Sequence, residues 1–220
     1  MYNFIKRITD VVLVLIALTI LFPVFALVIL VLSVTGEREI FYIQERVGFK
    51  NRIFNVYKFA TMLKDSPNIG TGTLTLRNDP RVTIFGKYLR ITKVNELPQI
   101  INVLRGEMSI VGPRPLLKID VDRYPDEIRE KIYNVKPGIT GIGSLVFRDE
   151  ELLVTNSKID KKEFYKEFIL PYKGALEMWY QKNANTITDF KIIFLTAWII
   201  IFPKSKLISI VFPDLPERVF

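Results

Sequence analysis

The apolar and polar positions of this chain change their period several times, and each change predicts an element. From Val11 to Val34 the sequence runs VVLVLIALTILFPVFALVILVLSV, with no charged residue. A helix of that length reaches roughly 36 Å, against an apolar bilayer core of about 30 Å. The pattern predicts a membrane helix with Phe22–Pro23 at its middle. Proline removes a backbone donor and clashes with the preceding turn, so a break is expected at Pro23. The run is too long for the apolar part of a cleaved signal, and no small-x-small site follows it. Lys6 and Arg7 flank it on one side, and Arg38, Arg46, Lys50 and Arg52 on the other. Basic flanks at both ends give no inside–outside asymmetry. The residues leave two arrangements open: a span, and a re-entrant hairpin that leaves the bilayer on the side it entered.

Beyond this run the period shortens. IFYIQ (40–44) and RIFNVYKF (52–59) read as two strands joined by a turn around 48–51. Residues 66–79, rich in Gly, Thr, Ser, Asn and Asp, read as a loop. Residues 85–90 suggest a short helix. Leu97, Ile100, Ile101 and Leu104 then recur at helical spacing. Asn95 falls at the expected N-cap, Pro98 in the first turn, and Gly106 at the C-terminal stop. Residues 125–133 are expected to be helical, KPGITGIG (136–143) to be a glycine-rich loop, and 161–179 to be a long charged amphipathic helix. That helix packs within its own domain or pairs with a second copy in a homodimer. KIIFLTAWIIIFP, near the C-terminus, is too short to span. With Lys182, Lys191, Lys204 and Lys206 around it, it reads either as an interfacial helix anchored by Trp198 or as a core helix.

Composition narrows the chemistry. The chain has neither cysteine nor histidine. Thiolate zinc sites, cysteine nucleophiles, Ser–His–Asp triads and His-ligated metals are excluded. A bound metal must be a hard ion held by oxygens, with Mg²⁺ first in line. The net charge of +8 points to an anionic partner. No recognition helix, RNA-binding signature or zinc motif is present, so nucleic acid is not expected as that partner.

The stretch ITKVNELPQIINVLRGEMSIVGPRP (91–115) concentrates the candidate chemistry. A helix N-terminus gathers free N–H groups and a partial positive charge, which favours anions. Arg81, Lys87, Arg90 and Lys93 precede it, and Arg114 follows in GPRP. Prolines on both sides restrict the backbone and present Arg114 stiffly, as bidentate phosphate binding needs. Lys58, at the end of the second strand, is a further candidate phosphate ligand. Asn is also among the best caps, and a first-turn Glu gains from the helix dipole. Pattern alone therefore leaves Asn95–Glu96 as either a cap or a site.

ELPQIINVLRGEMSIVGPRP closely resembles the signature of bacterial sugar transferases of the small monotopic polyprenol-phosphate phosphoglycosyl transferase family. The Pro-broken apolar run, YKFATM (57–62), NDPRVTIFGKYLR (78–90) and KPGITG (136–141) extend the resemblance over most of the chain. The resemblance implies transfer of a phosphosugar from a UDP-sugar to a polyprenol phosphate such as undecaprenyl phosphate. UMP is released, and Mg²⁺ is the cofactor. The reaction is placed at the cytoplasmic face of the bacterial inner membrane, among membrane lipids. The N-terminal helix is expected to be re-entrant, broken at Pro23. The family's catalytic pair is Asp–Glu, with the Asp forming a covalent phosphosugar intermediate. Lys58, Arg90 and Arg114 match its phosphate-binding positions.

Three departures stand out. Asn95 occupies the position of the nucleophilic Asp, whereas Glu96, expected to be catalytic and a metal ligand, is kept. Ala60 stands where the family carries a basic residue. IGSLVFRDEE follows KPGITG in place of the commoner WAQVNGRN, which implies a subgroup with its own donor sugar. An amide is a poor nucleophile and a weaker ligand for a hard ion. Four accounts of Asn95 follow: Glu96 is the nucleophile; the two phosphates react directly in line; the chain is an inactive scaffold that binds nucleotide sugar or lipid phosphate; or Asn95 deamidates. The expected fold is an α-rich α/β, monotopic membrane protein with a Pro-broken re-entrant helix, a small β-hairpin and interfacial amphipathic helices. Its parts are a re-entrant membrane helix (1–36), a cytoplasmic catalytic domain (37–180) and a C-terminal interfacial segment (181–220).

Overall fold

The computed structural model describes residues 1–69 and 79–218. Helix α1 (Tyr2–Val34) carries the apolar run, and the break expected at Pro23 does not interrupt it: the proline removes one backbone donor, while packing of Val14 before it and of Val28 and Leu32 after it holds the helix on both sides. Among the described residues it is the one helix long and apolar enough to cross a membrane. Only Asp10, Val14, Val28 and Leu32 of it are buried. Phe4, Leu15, Ile20, Phe22, Leu27 and Leu30 are exposed.

The first strand runs longer than the sequence pattern suggests. β1 (Phe41–Val47) pairs antiparallel with β2 (Ile53–Phe59), in a register from Phe41 opposite Phe59 to Val47 opposite Ile53. The connecting turn bends at Lys50 and Asn51, both with positive φ. Of the loop expected over 66–79, residues 70–78 lie outside the described residues, and Ser66–Asn68 forms a 3-10 turn.

Helix α2 (Ile84–Ile91) follows, capped by Thr83, whose hydroxyl accepts the Gly86 N–H. Helix α3 (Gln99–Arg105) ends as expected at Gly106, in the left-handed region at φ 78°. Its buried side is Gln99, Ile100, Asn102 and Val103, while Leu104 is exposed. The reason is the polar anchor: Asn102 accepts the Tyr57 N–H and donates to the Asn55 carbonyl, which turns this face toward β2.

The glycine-rich loop expected at 136–143 is largely regular. β3 (Ser109–Val111) pairs in parallel with β4 (Gly138–Thr140), and helices α4 (Lys118–Val121) and α5 (Asp126–Lys131) lie between them. Glycine here permits contact between backbones: a Cβ at Gly112, Gly138 or Gly141 would collide with main-chain atoms of the neighbouring segment. Then come α6 (Ile142–Val146), α7 (Glu150–Thr155), α8 (Lys161–Phe164), one π turn (Tyr165–Ile169), α9 (Leu170–Asn183), α10 (Thr186–Ile201) and α11 (Leu207–Val211).

The largest core joins α5, α6, α9 and α10 through side chains such as Tyr133, Leu176, Tyr180, Ile192 and Leu195. Each fully buried apolar side chain of this size contributes about 1.5–3 kcal/mol. Two smaller clusters fix α1. Val14 packs with Val56, Ile100, Val103 and Met108, and Val28 and Leu32 pack with Phe59 and Leu89. Polar contacts tie down the start of α1. Arg7 donates to the Val103 and Leu104 carbonyls at 2.6 and 2.9 Å, Asp10 accepts the Ile110 N–H at 3.0 Å, and Lys6 pairs with Asp189 at 2.7 Å. Both halves of α1 therefore pack on the same body. The C-terminal apolar helix divides its surface: in α10, Ile192, Leu195 and Ile199 enter the core, while Ile187, Phe190, Phe194 and Ile200 stay exposed.

Candidate active site

Strand alternation sets the first site residue. Phe59 is buried against Leu89 and Leu32, so Lys58 turns the other way and lines a cleft of about 1810 Å³. Arg90 reaches the same cleft from the last turn of α2. Lys93, with φ 60°, then reverses the chain into a 3-10 turn, Val94–Glu96. This geometry corrects the expected cap. Pro98, not Asn95, precedes the helix, and no side chain caps it. Asn95 is buried, and its Oδ1 has no hydrogen-bond partner.

Glu96 meets Arg114 in a bidentate pair, Nη2–Oε1 at 2.7 Å and Nη1–Oε2 at 3.4 Å. Arg114 is held by more than its prolines. The Tyr133 hydroxyl donates to the Arg114 carbonyl and accepts the Leu116 N–H, both at 2.9 Å. Pro113 accepts the Gly138 N–H and Gly112 donates to the Thr140 carbonyl, again both at 2.9 Å. Buried hydrogen bonds on both sides thus lock the GPRP backbone against β4 and Tyr133.

The charges act on one another. Burial pushes Lys58 down to about 7, helped by the cations of Arg46, Arg114 and Arg90 and opposed by Glu96. Burial alone would raise the Glu96 carboxyl, yet Arg114, Lys58 and Lys93 together hold it well below the usual carboxylate range. Glu96 is therefore a fixed anion inside a cationic frame, and the frame holds more positive charge than one carboxylate neutralises. Arg81 does not join it. Its buried guanidinium pairs with Asp79 at 2.6 Å and donates to the Ser66 and Ile69 carbonyls.

Among the described residues no group of three or more acidic side chains forms a metal cage. Glu96 and the unpartnered amide oxygen of Asn95 are the oxygen donors at this end. Mg²⁺ commonly takes one or two carboxylates and completes its shell with substrate phosphates and water. The residues fit that pattern and not a site made of protein alone.

One side of the cleft is cationic, and another is apolar, with Leu13, Ala17 and Leu21 of α1 and Ile84 and Ile91 of α2. Against that geometry, the sequence profile of the bacterial sugar transferases matches residues 1–203. The chain belongs to the bacterial sugar transferase family. Among the relatives of this chain is the UDP-galactose-lipid carrier transferase of Erwinia amylovora, 32% identical over 213 residues, which are 90% of this chain and 41% of the relative. The undecaprenyl-phosphate glucose phosphotransferase of Komagataeibacter xylinus is 36% identical over 201 residues, 87% of this chain and 35% of the relative. The exopolysaccharide production protein ExoY of Sinorhizobium fredii is 31% identical over 205 residues, 87% of this chain and 83% of the relative. The chain spans less than half the length of the first two and most of the third.

The structure brings Lys58, Arg90, Asn95, Glu96 and Arg114 to one cleft, whereas Pro23 stays within α1 and outside it. Sequence reasoning missed Arg46, Asp120, Tyr165, Lys173 and Glu177, which line the same cleft. Arg46 donates to Gln44 Oε1 at 2.6 Å and to the Pro115 carbonyl at 3.3 Å, which stations it beside Arg114. Its place on a hairpin edge reads as an ordinary surface cation. Lys173 and Glu177 sit on the inner face of α9, where charge in an apolar stripe was the available signal.

Proposed function

We propose that this sugar transferase moves a phosphosugar from a UDP-sugar to a polyprenol phosphate, undecaprenyl phosphate in a bacterial inner membrane, and releases UMP. One observation carries the reading: a single cleft joins a cationic frame (Lys58, Arg90, Arg114) to an apolar wall contributed by the membrane helix. The first suits a diphosphate. The second suits an isoprenoid chain. The names of the Erwinia and Komagataeibacter relatives, a lipid carrier transferase and an undecaprenyl-phosphate phosphotransferase, agree with it.

Both halves of α1 rest on the same body, which supports attachment to one face of the membrane over a span. The uncovered apolar residues of α1, α2 and α10 then enter one leaflet, and the cleft opens at the cytoplasmic face. In this reading residues 1–36 are the membrane element, 37–180 the catalytic unit and 181–220 an interfacial segment that shares its core.

For chemistry we favour direct in-line displacement. Asn95 offers no charge, and the bidentate pairing of Glu96 with Arg114 lowers its nucleophilicity while leaving lone pairs for a cation. An oxygen of the lipid phosphate attacks the donor's β-phosphorus. The bond from that phosphorus to the bridging oxygen breaks, and UMP leaves with the electron pair. Lys58, Arg90 and Arg114 hold the phosphates and offset their repulsion, while Glu96 fixes the pose of Arg114. Mg²⁺, held by Glu96, the Asn95 amide oxygen and the phosphates, would supply further charge neutralisation.

Purified protein in lipid, given undecaprenyl phosphate, Mg²⁺ and a panel of UDP-sugars, is expected to release UMP from at least one donor. No release from any of them overturns the reading. Burial of an amide at the position of the family's acid favours a second reading, an inactive scaffold. In that case Asn95→Asp raises activity from near zero.

A further inference from the structure

The phosphate residues account for only part of the cleft. A different wall is built from α4, α7 and α9 and carries Asp120, Tyr124, Glu150, Tyr165, Lys173 and Glu177. At its centre Lys173 Nζ lies 2.7 Å from both oxygens of Glu150. The ammonium also sits 5.4 and 5.3 Å from the ring centres of Phe147 and Tyr165. Asp120 is braced by Arg123 at 2.9 Å.

This pair is turned the opposite way to the one at Arg114. There the cation is 38% exposed and the carboxylate 14%. Here the cation is 9% exposed and the carboxylate 26%. One pair shows positive charge to the cleft, the other shows acceptor oxygens. Fixed carboxylates repel phosphate and accept hydrogen bonds from hydroxyls. Deeper in the same wall, the Tyr124 hydroxyl and Glu177 Oε2 are buried without a hydrogen-bond partner. Each of these two residues is 4% exposed. Buried polar atoms are rarely left unpaired, so two on one cleft wall call for a polar ligand. Burial pushes the Glu177 carboxyl up to about 8, against a backbone hydrogen bond from Arg114 and the charge of Lys173. Burial thus favours its protonated form, an O–H donor beside acceptor carboxylates, a mixed set suited to a polyol.

We infer that Glu150, held in place by Lys173, and Asp120 read the hydroxyls of the donor's sugar, and that this wall sets which sugar is accepted. The inference rests on the transferase reading above. The location argues for the sugar over the nucleoside. Glu150 and Tyr165 lie within the electrostatic field of Arg114, so the wall begins beside the phosphate site. The sugar is bonded directly to the reacting phosphorus, whereas the uridine lies one phosphate further away.

The test compares wild type, Glu150→Gln and Asp120→Asn as full-length protein in lipid. Donors are pairs of UDP-sugars that differ at one hydroxyl, such as UDP-glucose and UDP-galactose. The ratio of kcat/KM between the two epimers is expected to move by about tenfold or more, with inhibition by UMP unchanged. Glutamine keeps an oxygen for Lys173, and Asp120→Asn leaves the buried pair intact, so one variant stays readable if the other misfolds. A fall shared equally by all donors overturns the inference, because it marks a structural role. A parallel weakening of UMP inhibition also overturns it, because the wall then reads the nucleoside. If wild type turns over no donor, the transferase reading fails separately. Calorimetric binding of the same UDP-sugars, with UDP as reference, then decides the inference: an epimer preference that shifts in the variants sustains it, and an unchanged preference ends it.

Discussion

The cleft holds two ion pairs of the same closest length, Arg114–Glu96 and Lys173–Glu150, both at 2.7 Å. They differ in which partner faces the ligand and in what surrounds them. The first exposes an arginine amid further cations, and its carboxylate is pinned beneath. The second buries a lysine between two aromatic rings and exposes its carboxylate. Distance alone therefore says little about what an ion pair does. Which charge is desolvated decides whether the pair serves as an anion site or a hydrogen-bond acceptor.

The largest expected effect is at the first pair. Arg114→Ala removes the cation that faces the cleft and leaves Glu96 with Lys58 and Lys93 as its neighbouring cations. UMP release should fall by about 10²- to 10³-fold, the usual cost of losing one charge-stabilising donor. Glu96→Gln should cost a similar amount, since Arg114 then loses its anchor. The comparison breaks if either variant keeps near wild-type kcat/KM while Glu150→Gln loses it.

The second pair should matter more for folding. Glu150→Ala leaves Lys173 charged and buried, and removing one partner of a buried pair costs about 3–5 kcal/mol. Glu150 is partly exposed, so the lower end of that range is expected. Denaturant unfolding should therefore show a larger loss for Glu150→Ala than for Arg114→Ala, the reverse of their order in catalysis. Equal losses in both assays would mean that the pairs are equivalent.

The third effect is a proton linkage at Lys58. Its amine sits near 7 because burial and three arginines oppose its charge. A bound diphosphate adds negative charge and must raise that value. Affinity for UDP is then at its fullest below pH 7 and falls as pH climbs above it, by at most about tenfold per unit. Lys58→Arg, which stays protonated, should flatten the profile between pH 7 and 9. Calorimetry across that range reads both slopes. Asn95→Asp acts in the same field. With direct displacement, UMP release should change by less than about tenfold, one pKa unit's worth of interaction; a rise from near zero would instead mark the scaffold.

The sequence revealed these regions unequally, for physical reasons. Local patterns carried the first pair: GPRP stiffens Arg114, and Asn95–Glu96 lies in a contiguous polar turn. The hairpin and α2 were legible for the same reason, since turn residues and short periods are local. Asn95 was misplaced as a cap because residues 94–98 hold both a 3-10 turn and the helix start, and the left-handed Lys93 is not marked by a glycine. The second pair joins residues 23 apart on two helices, so no local spacing announces it. The KPGITG segment failed differently. Its glycines serve close strand contact with Gly112, which composition does not distinguish from a loop.

The smallest effect comes from a third pair of identical length. Lys64 and Glu39 also meet at 2.7 Å, but their side chains are 74% and 45% exposed. Both line the same cleft at its rim. Water solvates each partner nearly as well apart as together, and salt screens what remains. Lys64→Ala should leave the melting temperature, UMP release and the epimer ratio at wild-type values, in low salt and in high. Any change in the epimer ratio would mean that charge at the mouth of the cleft selects the donor, and the contrast between the two inner pairs would lose its force. Three contacts of one length would then differ through long-range field, whereas the burial of each partner makes desolvation the deciding quantity.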